Sequence, residues 1–217
     1  MGDGTDTGRW VFGEDPLPEV AALASELRAL TGEVLSLEHA TPDLVALTDT
    51  VRAARARLAA DLPADPAPRV GDAATPSMRV YLDHSRDVGA YHPMFPEYSL
   101  TCADDRAEGT VTFPLCYEGP PGIVHGGFLA LFFDCVLQQL NCDLGLAGKT
   151  SRLGLRYRRP TPLGVPLTVS AHRRVEDDRI HSEATLTRDG EVLCAAEMSA
   201  VAGRRENLPV VSPRRTR

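Results

Sequence analysis

Cysteine is scarce and falls into no recognisable pattern. There are five, Cys102, Cys116, Cys135, Cys142 and Cys194, an odd number without a CxxC pair. That argues against a disulfide framework and a zinc site, so we expect a reduced, cytoplasmic protein without metal or other cofactor. Positive charge is also short: 23 Lys and Arg stand against 30 Asp and Glu, a net charge of −7. Such a balance speaks against nonspecific nucleic-acid binding. No apolar run approaches the ~20 residues that span a bilayer, so no integral membrane segment is expected. The opening MGDGTDTGRW lacks the basic start and apolar core of a signal peptide. No internal repeat is visible.

What is present is an ordinary globular composition, 43% hydrophobic and 24% charged over 217 residues. That length suits one domain with an extension. Residues 1–17 read as a loose tail, and MGDGTD resembles the start of an N-myristoylation signal. In 18–38, Val20, Leu23, Leu27 and Leu30 recur at helical spacing among Glu and Arg. Thr41 and Pro42 then read as the N-cap and first turn of a second helix, with Val45, Thr48, Val51 and Leu58 near one face. Residues 18–60 thus form a helical extension that packs on the following domain or on a dimer partner. Residues 61–94 read as a Pro-rich linker and loop.

From residue 95 the pattern changes. Segments near 97–103 and 109–117 alternate like strands. An apolar run from Gly126 to about Leu146 is too long for a strand and reads as one buried helix. Four strand-like segments follow at 150–159, 165–176, 179–188 and 191–202. Asp177-Asp178 and Asp189-Gly190 stand at the turns. Residues 95–203 are therefore an α+β domain, a long central helix wrapped by antiparallel sheet, and 204–217 a C-terminal tail.

The chemistry sits on that helix. Asp134, Gln138 and Asn141 stand at i, i+4 and i+7, one face of an otherwise apolar segment. A buried acid is either satisfied structurally or useful. His125-Gly126-Gly127 opens the helix, where the first N–H groups lack intrahelical partners and sit at the positive end of the dipole. Such a corner can polarise a carbonyl, or the glycines can simply serve the turn with His125 as a cap. Cys135, beside Asp134, points about 100° away around the helix and reads as core.

VHGGFLALFFD resembles the HGG-x(6)-Asp/Glu signature of PaaI-like hotdog-fold thioesterases, the 4-hydroxybenzoyl-CoA thioesterase superfamily. LGLRYRRPTPLGVPLTV, followed by the Asp189-Gly190 hairpin, looks like the rest of that domain. The resemblance covers about half the chain and leaves residues 1–90 outside. It implies a hotdog fold, a homodimer or homotetramer with active sites between subunits, and hydrolysis of an acyl-CoA or acyl-carrier-protein thioester. Asp134 would be nucleophile or general base. The N–H of Gly126, with Gly127, would face the thioester carbonyl, His125 would shape the corner, and Gln138 would orient water. Substrate contacts would come from Arg158, Arg159, Arg152 and Thr150, with Arg156, Arg173 and Arg174 completing a cationic rim for phosphates. Phe128, with Phe132 and Phe133, would line an acyl pocket, and Asn141 would join the substrate face. One departure stands out: relatives often carry Asn or Gln in the loop before HGG, and this chain has neither from 101 to 125. A non-catalytic hotdog module, binding an acyl thioester or scaffolding a dimer, is the alternative. A hotdog hydratase or dehydratase is a third, but its catalytic His motif is not found here.

Overall fold

The computed structural model describes residues 12–84, 86–143, 145, 147–203 and 208–215. The myristoylation-like start lies outside them. Six antiparallel strands form one sheet: β3 (Tyr98–Ala103), β4 (Arg106–Thr112), β5 (Ala147–Tyr157), β6 (Pro166–Glu176), β7 (Arg179–Arg188) and β8 (Glu191–Gly203). Their order across the sheet is β3-β4-β6-β7-β8-β5. The long helix α3 (Gly126–Asp143) connects β4 to β5 and lies in the concave face.

Alternation builds the sheet. In β6, Leu167, Val169 and Ala171 face α3; in β7, Ile180, Ala184 and Leu186 do the same. Tight turns are set by aspartates in the left-handed region, Asp104, Asp177 and Asp189, the last followed by Gly190 at φ +82°. Two consecutive positive φ values make the Asp-Gly hairpin expected from sequence. Leu129, Phe132, Phe133, Val136, Leu137 and Leu140 of α3 are buried against the sheet. At roughly 1.5–3 kcal/mol per large apolar side chain, this one helix organises the core. It ends at Asp143, and Gly145, at φ +81°, turns the chain toward β5.

The extension departs from expectation. Helices α1 (Pro18–Ser36) and α2 (Pro42–Ala59) form close to where periodicity puts them, and Pro42 occupies the first turn of α2. Thr41 stands at its N-cap but makes no side-chain cap bond. Little of the apolar stripe docks α1: Leu23 is 52% exposed, whereas Ala24 (2%) and Arg28 (5%) are buried. The guanidinium of Arg28 donates to the carbonyls of Gly89 (3.0 Å), His92 (3.1 Å) and Phe95 (2.7 Å), and pairs with Glu97 at 2.6 Å. Its five donors fit that cluster of turn acceptors, which apolar periodicity cannot reveal. No residue of α2 is buried within this chain.

Residues 61–94, expected as linker and loop, also hold a short strand pair. Strand β1 (Asp65–Pro68) pairs in parallel with β2 (Met78–Arg79). The ends of the chain, read from sequence as tails, tie into this region among the described residues. Glu14 bridges Leu82, Val70 bridges Val211, and Arg214 donates to the Asp15 carbonyl at 2.9 Å. A buried relay then fixes the 87–98 stretch on α3. Tyr98 donates to Gln139 Oε1 (2.6 Å), and Gln139 Nε2 donates to Asp87 (2.7 Å).

Candidate functional site

Asp134 lies midway along α3 on its less buried face, beside the first residues of β5. Thr150 Oγ1 donates to Asp134 Oδ1 at 2.9 Å, and Gln138 Nε2 donates to Thr150 Oγ1 at 2.7 Å. The order is therefore Gln138 to Thr150 to Asp134, with the carboxylate as terminal acceptor. Among the described residues the second carboxylate oxygen of Asp134 takes no hydrogen bond. Gln138, expected to orient water, donates to Thr150. Thr150, expected as a substrate contact, is the residue that touches the acid.

A β-bulge explains how Thr150 gets there. In the β5–β8 register Thr150 pairs with Ala200 and Arg152 with Ser199, so Ser151 is the extra residue. Thr150 faces the helix, and after the bulge Leu153 and Leu155 pack against the core while Arg152 and Arg156 turn to the outer face. Arg152 thus lines the outer-face hollow with Arg156, His172 and Glu197 and is not brought to Asp134 within the chain.

A groove of about 500 Å³ opens over Asp134. Asp134, Gln138 and Cys142 of α3 and Gly148, Lys149 and Thr150 of β5 form one side, and Phe12, Tyr81, Asp83 and His84 form the other. These last four residues belong to the segment before the sheet domain, which sequence reading assigned to tail and linker. Burial, then the neighbouring His92, lowers His84 from its ordinary value, so its ring is neutral at pH 7. Burial, with the Asp134 charge adding, pushes the Cys135 thiol up to about 12, which leaves it protonated and unreactive.

The HGG corner is built at the other end of α3. His125 Nδ1 accepts the N–H of Gly127 at 3.0 Å, the geometry of a helix cap. The Gly127 N–H is thereby taken and is not offered to a carbonyl. The Gly126 N–H makes no hydrogen bond among the described residues, whereas its carbonyl accepts from Tyr157 Oη at 2.9 Å. A Cβ on residue 126 would stand 3.1 Å from that hydroxyl, so glycine lets the tyrosine close on the corner. Tyr157, Arg158 and Arg159 line a second hollow of about 420 Å³ beside Gly126. Arg159 pairs with Glu191 at 2.9 Å; Arg158 is exposed.

Several expected contacts lie elsewhere. Asn141 is fully buried, takes a bond from Ser182 (3.4 Å), and does not face the groove. It shares the angular face of Asp134, but β6 and β7 cover that face about two turns further on. Arg173 is also buried; it binds Asp105 (2.9 Å) and the Asn141 carbonyl (3.2 Å), a cation at the C-terminal end of α3. Arg174 pairs with Glu176 on the surface. Phe132 and Phe133 are core residues with no exposure, and Phe128 packs edge-on against Tyr117 and His125.

No family model and no curated protein matches the chain. Solved structures do. A crystal structure of a thioesterase superfamily protein is 29% identical, covers 89% of this chain and 96% of its own, and superposes with a TM-score of 0.71. A match of that extent takes in the N-terminal helices. Two smaller structures cover 49% of the chain at a TM-score of 0.47. One is a hypothetical thioesterase from Streptococcus pneumoniae TIGR4 with coenzyme A, 20% identical over 88% of its length. The other is a Streptococcus mutans UA159 protein bound to acetyl CoA, 14% identical over 89%. Among the described residues no helix is long and apolar enough to cross a membrane. With its central helix, its six-stranded antiparallel sheet and the likeness to the first of these structures, the chain has the hotdog fold of the thioesterase superfamily.

Proposed function

We propose that this protein is a PaaI-like acyl-CoA thioesterase that converts an acyl thioester and water to a free acid and coenzyme A. The observation that carries the reading is Asp134, the one acid in the apolar first part of α3, holding a hydrogen-bonded Thr150 and opening on a groove. Asp134 acts as nucleophile on the carbonyl carbon or as general base for the water. The uncommitted Gly126 N–H, at a helix N-terminus, stabilises the oxyanion.

Eight residues separate Gly126 from Asp134, about 12 Å along an α-helix, whereas a carbonyl oxygen and its carbon are bonded neighbours. One chain cannot apply both groups to one thioester. A second copy, with its α3 running the opposite way, brings its Gly126 to this Asp134. The long edge strand β5 and the exposed Leu131 of α3 suit such pairing. The protein is then a dimer, or a dimer of dimers, with two composite sites. Arg158 and Arg159, beside Gly126, meet the phosphates of the coenzyme, and an acyl-carrier-protein thioester is the other substrate form.

One observation favours a non-catalytic acyl-thioester-binding protein instead. In the loop before HGG, where a side-chain amide would assist, Glu118 Oε1 accepts the Gly122 N–H at 2.6 Å and the loop closes on itself. The two readings part on turnover. Free-thiol release from a panel of acyl-CoAs is expected, with sedimentation as a dimer or tetramer. Tight binding of acyl-CoA without thiol release would favour the binding module.

A further inference from the structure

Helix α2 is left uncovered by its own chain. None of its 18 residues is buried, and an isolated helix of that length is marginal in water. Its apolar residues nevertheless keep a strict spacing. Leu44, Leu47, Val51, Ala54 and Leu58 follow one another in steps of three, four, three and four, the a/d seam of a coiled coil. Leu44, Leu47 and Ala54 are half-buried, and Val51 and Leu58 are exposed. An open groove of about 330 Å³ follows this seam from Leu44 to Arg55. Among the described residues, α1 reaches it through Val34 alone and does not fill it.

Charge says what fits. Asp43, Thr50 and Arg57 stand seven residues apart, so they share one flank of the seam. The flank is acidic in the first turn of α2 and basic in the last. Among the described residues neither Asp43 nor Arg57 has an ion pair, whereas Asp49 and Arg52, outside the seam, pair with each other. An antiparallel α2 from a second copy can set Leu44 against Ala54 and Leu47 against Val51. That register brings Asp43 of each copy beside Arg57 of the other, and Thr50 close to the two-fold axis. A parallel pair would instead set acid against acid and base against base. The flank is thus complementary to itself under a two-fold, the condition for an isologous contact.

We propose that α2 is a pairing helix that docks antiparallel on α2 of a second copy of this chain. The contact is separate from the β5 edge and independent of the thioester chemistry. The two-fold doubles the effect of each substitution, so reversing one charge weakens pairing about tenfold.

The test places a cysteine on α2 of the full-length protein and treats it with a short bis-maleimide. Covalent dimer is read on a denaturing gel against wild type, which sets the background of the native thiols. This reads the α2 contact whether or not β5 joins the same two copies. Thr50→Cys, beside the axis, should cross-link most of the protein at micromolar concentration. Asp49→Cys, at the same height on the opposite face, should stay at background. In the Thr50→Cys protein, Asp43→Arg or Arg57→Asp should each cut the yield severalfold, and the two together should restore it. Val51→Asp, on an exposed side chain, should abolish it, with cooperative unfolding retained. A Thr50→Cys yield no higher than that of Asp49→Cys overturns the inference. So does a yield indifferent to both charge reversals, or a double reversal that fails to rescue.

Discussion

Arg28→Ala removes the side chain that docks α1. Arg28 is nearly inaccessible to solvent and serves three backbone carbonyls and Glu97. Glu97 is 58% exposed, so screening leaves the ion pair worth little by itself. The carbonyls of Gly89, His92 and Phe95 are the larger concern, because truncation strips them of a charged donor while α1 still covers them. Removing one partner of such a buried network costs about 3–5 kcal/mol. For a chain of this size each kcal/mol moves Tm by roughly 2–4 °C, so a fall of roughly 10 °C is expected. The assay is thermal unfolding by circular dichroism at matched protein concentration, since association raises Tm by mass action. Arg28→Lys should lose most of the same stability, as one ammonium cannot fork across four acceptors. Leu23→Ala, on the same helix but exposed, should cost under about 0.5 kcal/mol. If Arg28→Ala shifts Tm no more than Leu23→Ala does, the anchoring argument is wrong. The pair also has a pH signature. Its hydrogen bond from Arg28 holds the Glu97 carboxyl below the usual range. The stability it lends is present above the ordinary Glu value and is lost as pH falls through the lowered folded one.

Other outcomes follow from the site. Thr150→Val deletes the donor to Asp134 while keeping shape; a hydrogen bond to a charged group is worth about 1.5–3 kcal/mol, so kcat should fall about 10–100-fold with KM little changed, and an unaltered kcat would remove Thr150 from the mechanism. Cys135→Ala should retain turnover, and iodoacetamide at pH 7.5 should not inactivate the enzyme by alkylating Cys135, because its raised pKa leaves almost no thiolate; inactivation that Cys135→Ala abolishes would contradict this. Asn141→Ala should lower Tm and leave KM unchanged, as expected of a buried residue bonded to Ser182; a raised KM with normal Tm would return it to the substrate face.

Much of this was legible in the chain itself, and the rest was hidden for identifiable reasons. The central helix, the meander and the Asp189-Gly190 turn were readable because period and turn chemistry are local. Asp134 after HGG was readable because both sit on one helix. The face that Arg152 takes was not legible, because a single inserted residue, Ser151, reverses which face β5 presents, and nothing in the residue types announces a bulge. Asn141 was misjudged because helical spacing gives an angle, not the cover found at each height along the axis. Phe12, Tyr81 and His84 were missed because their neighbours across the groove lie 50 or more residues away in sequence. Arg28 shows the same limit from the other side, a charge buried by long-range carbonyls on a helix whose Leu23 and Leu35 stay exposed.

Asp134 is the residue on which the proposed hydrolysis depends. Asp134→Asn is nearly isosteric and can still accept from Thr150 through its carbonyl oxygen, but the amide neither attacks a thioester nor takes a proton at neutral pH. Steady-state thiol release should be measured for wild type and variant on the best acyl-CoA substrate, with circular dichroism and sedimentation as controls. We expect the variant to fold and associate like wild type, to bind substrate, and to lose turnover by at least three orders of magnitude. A folded Asp134→Asn protein with near-wild-type kcat would contradict the central claim.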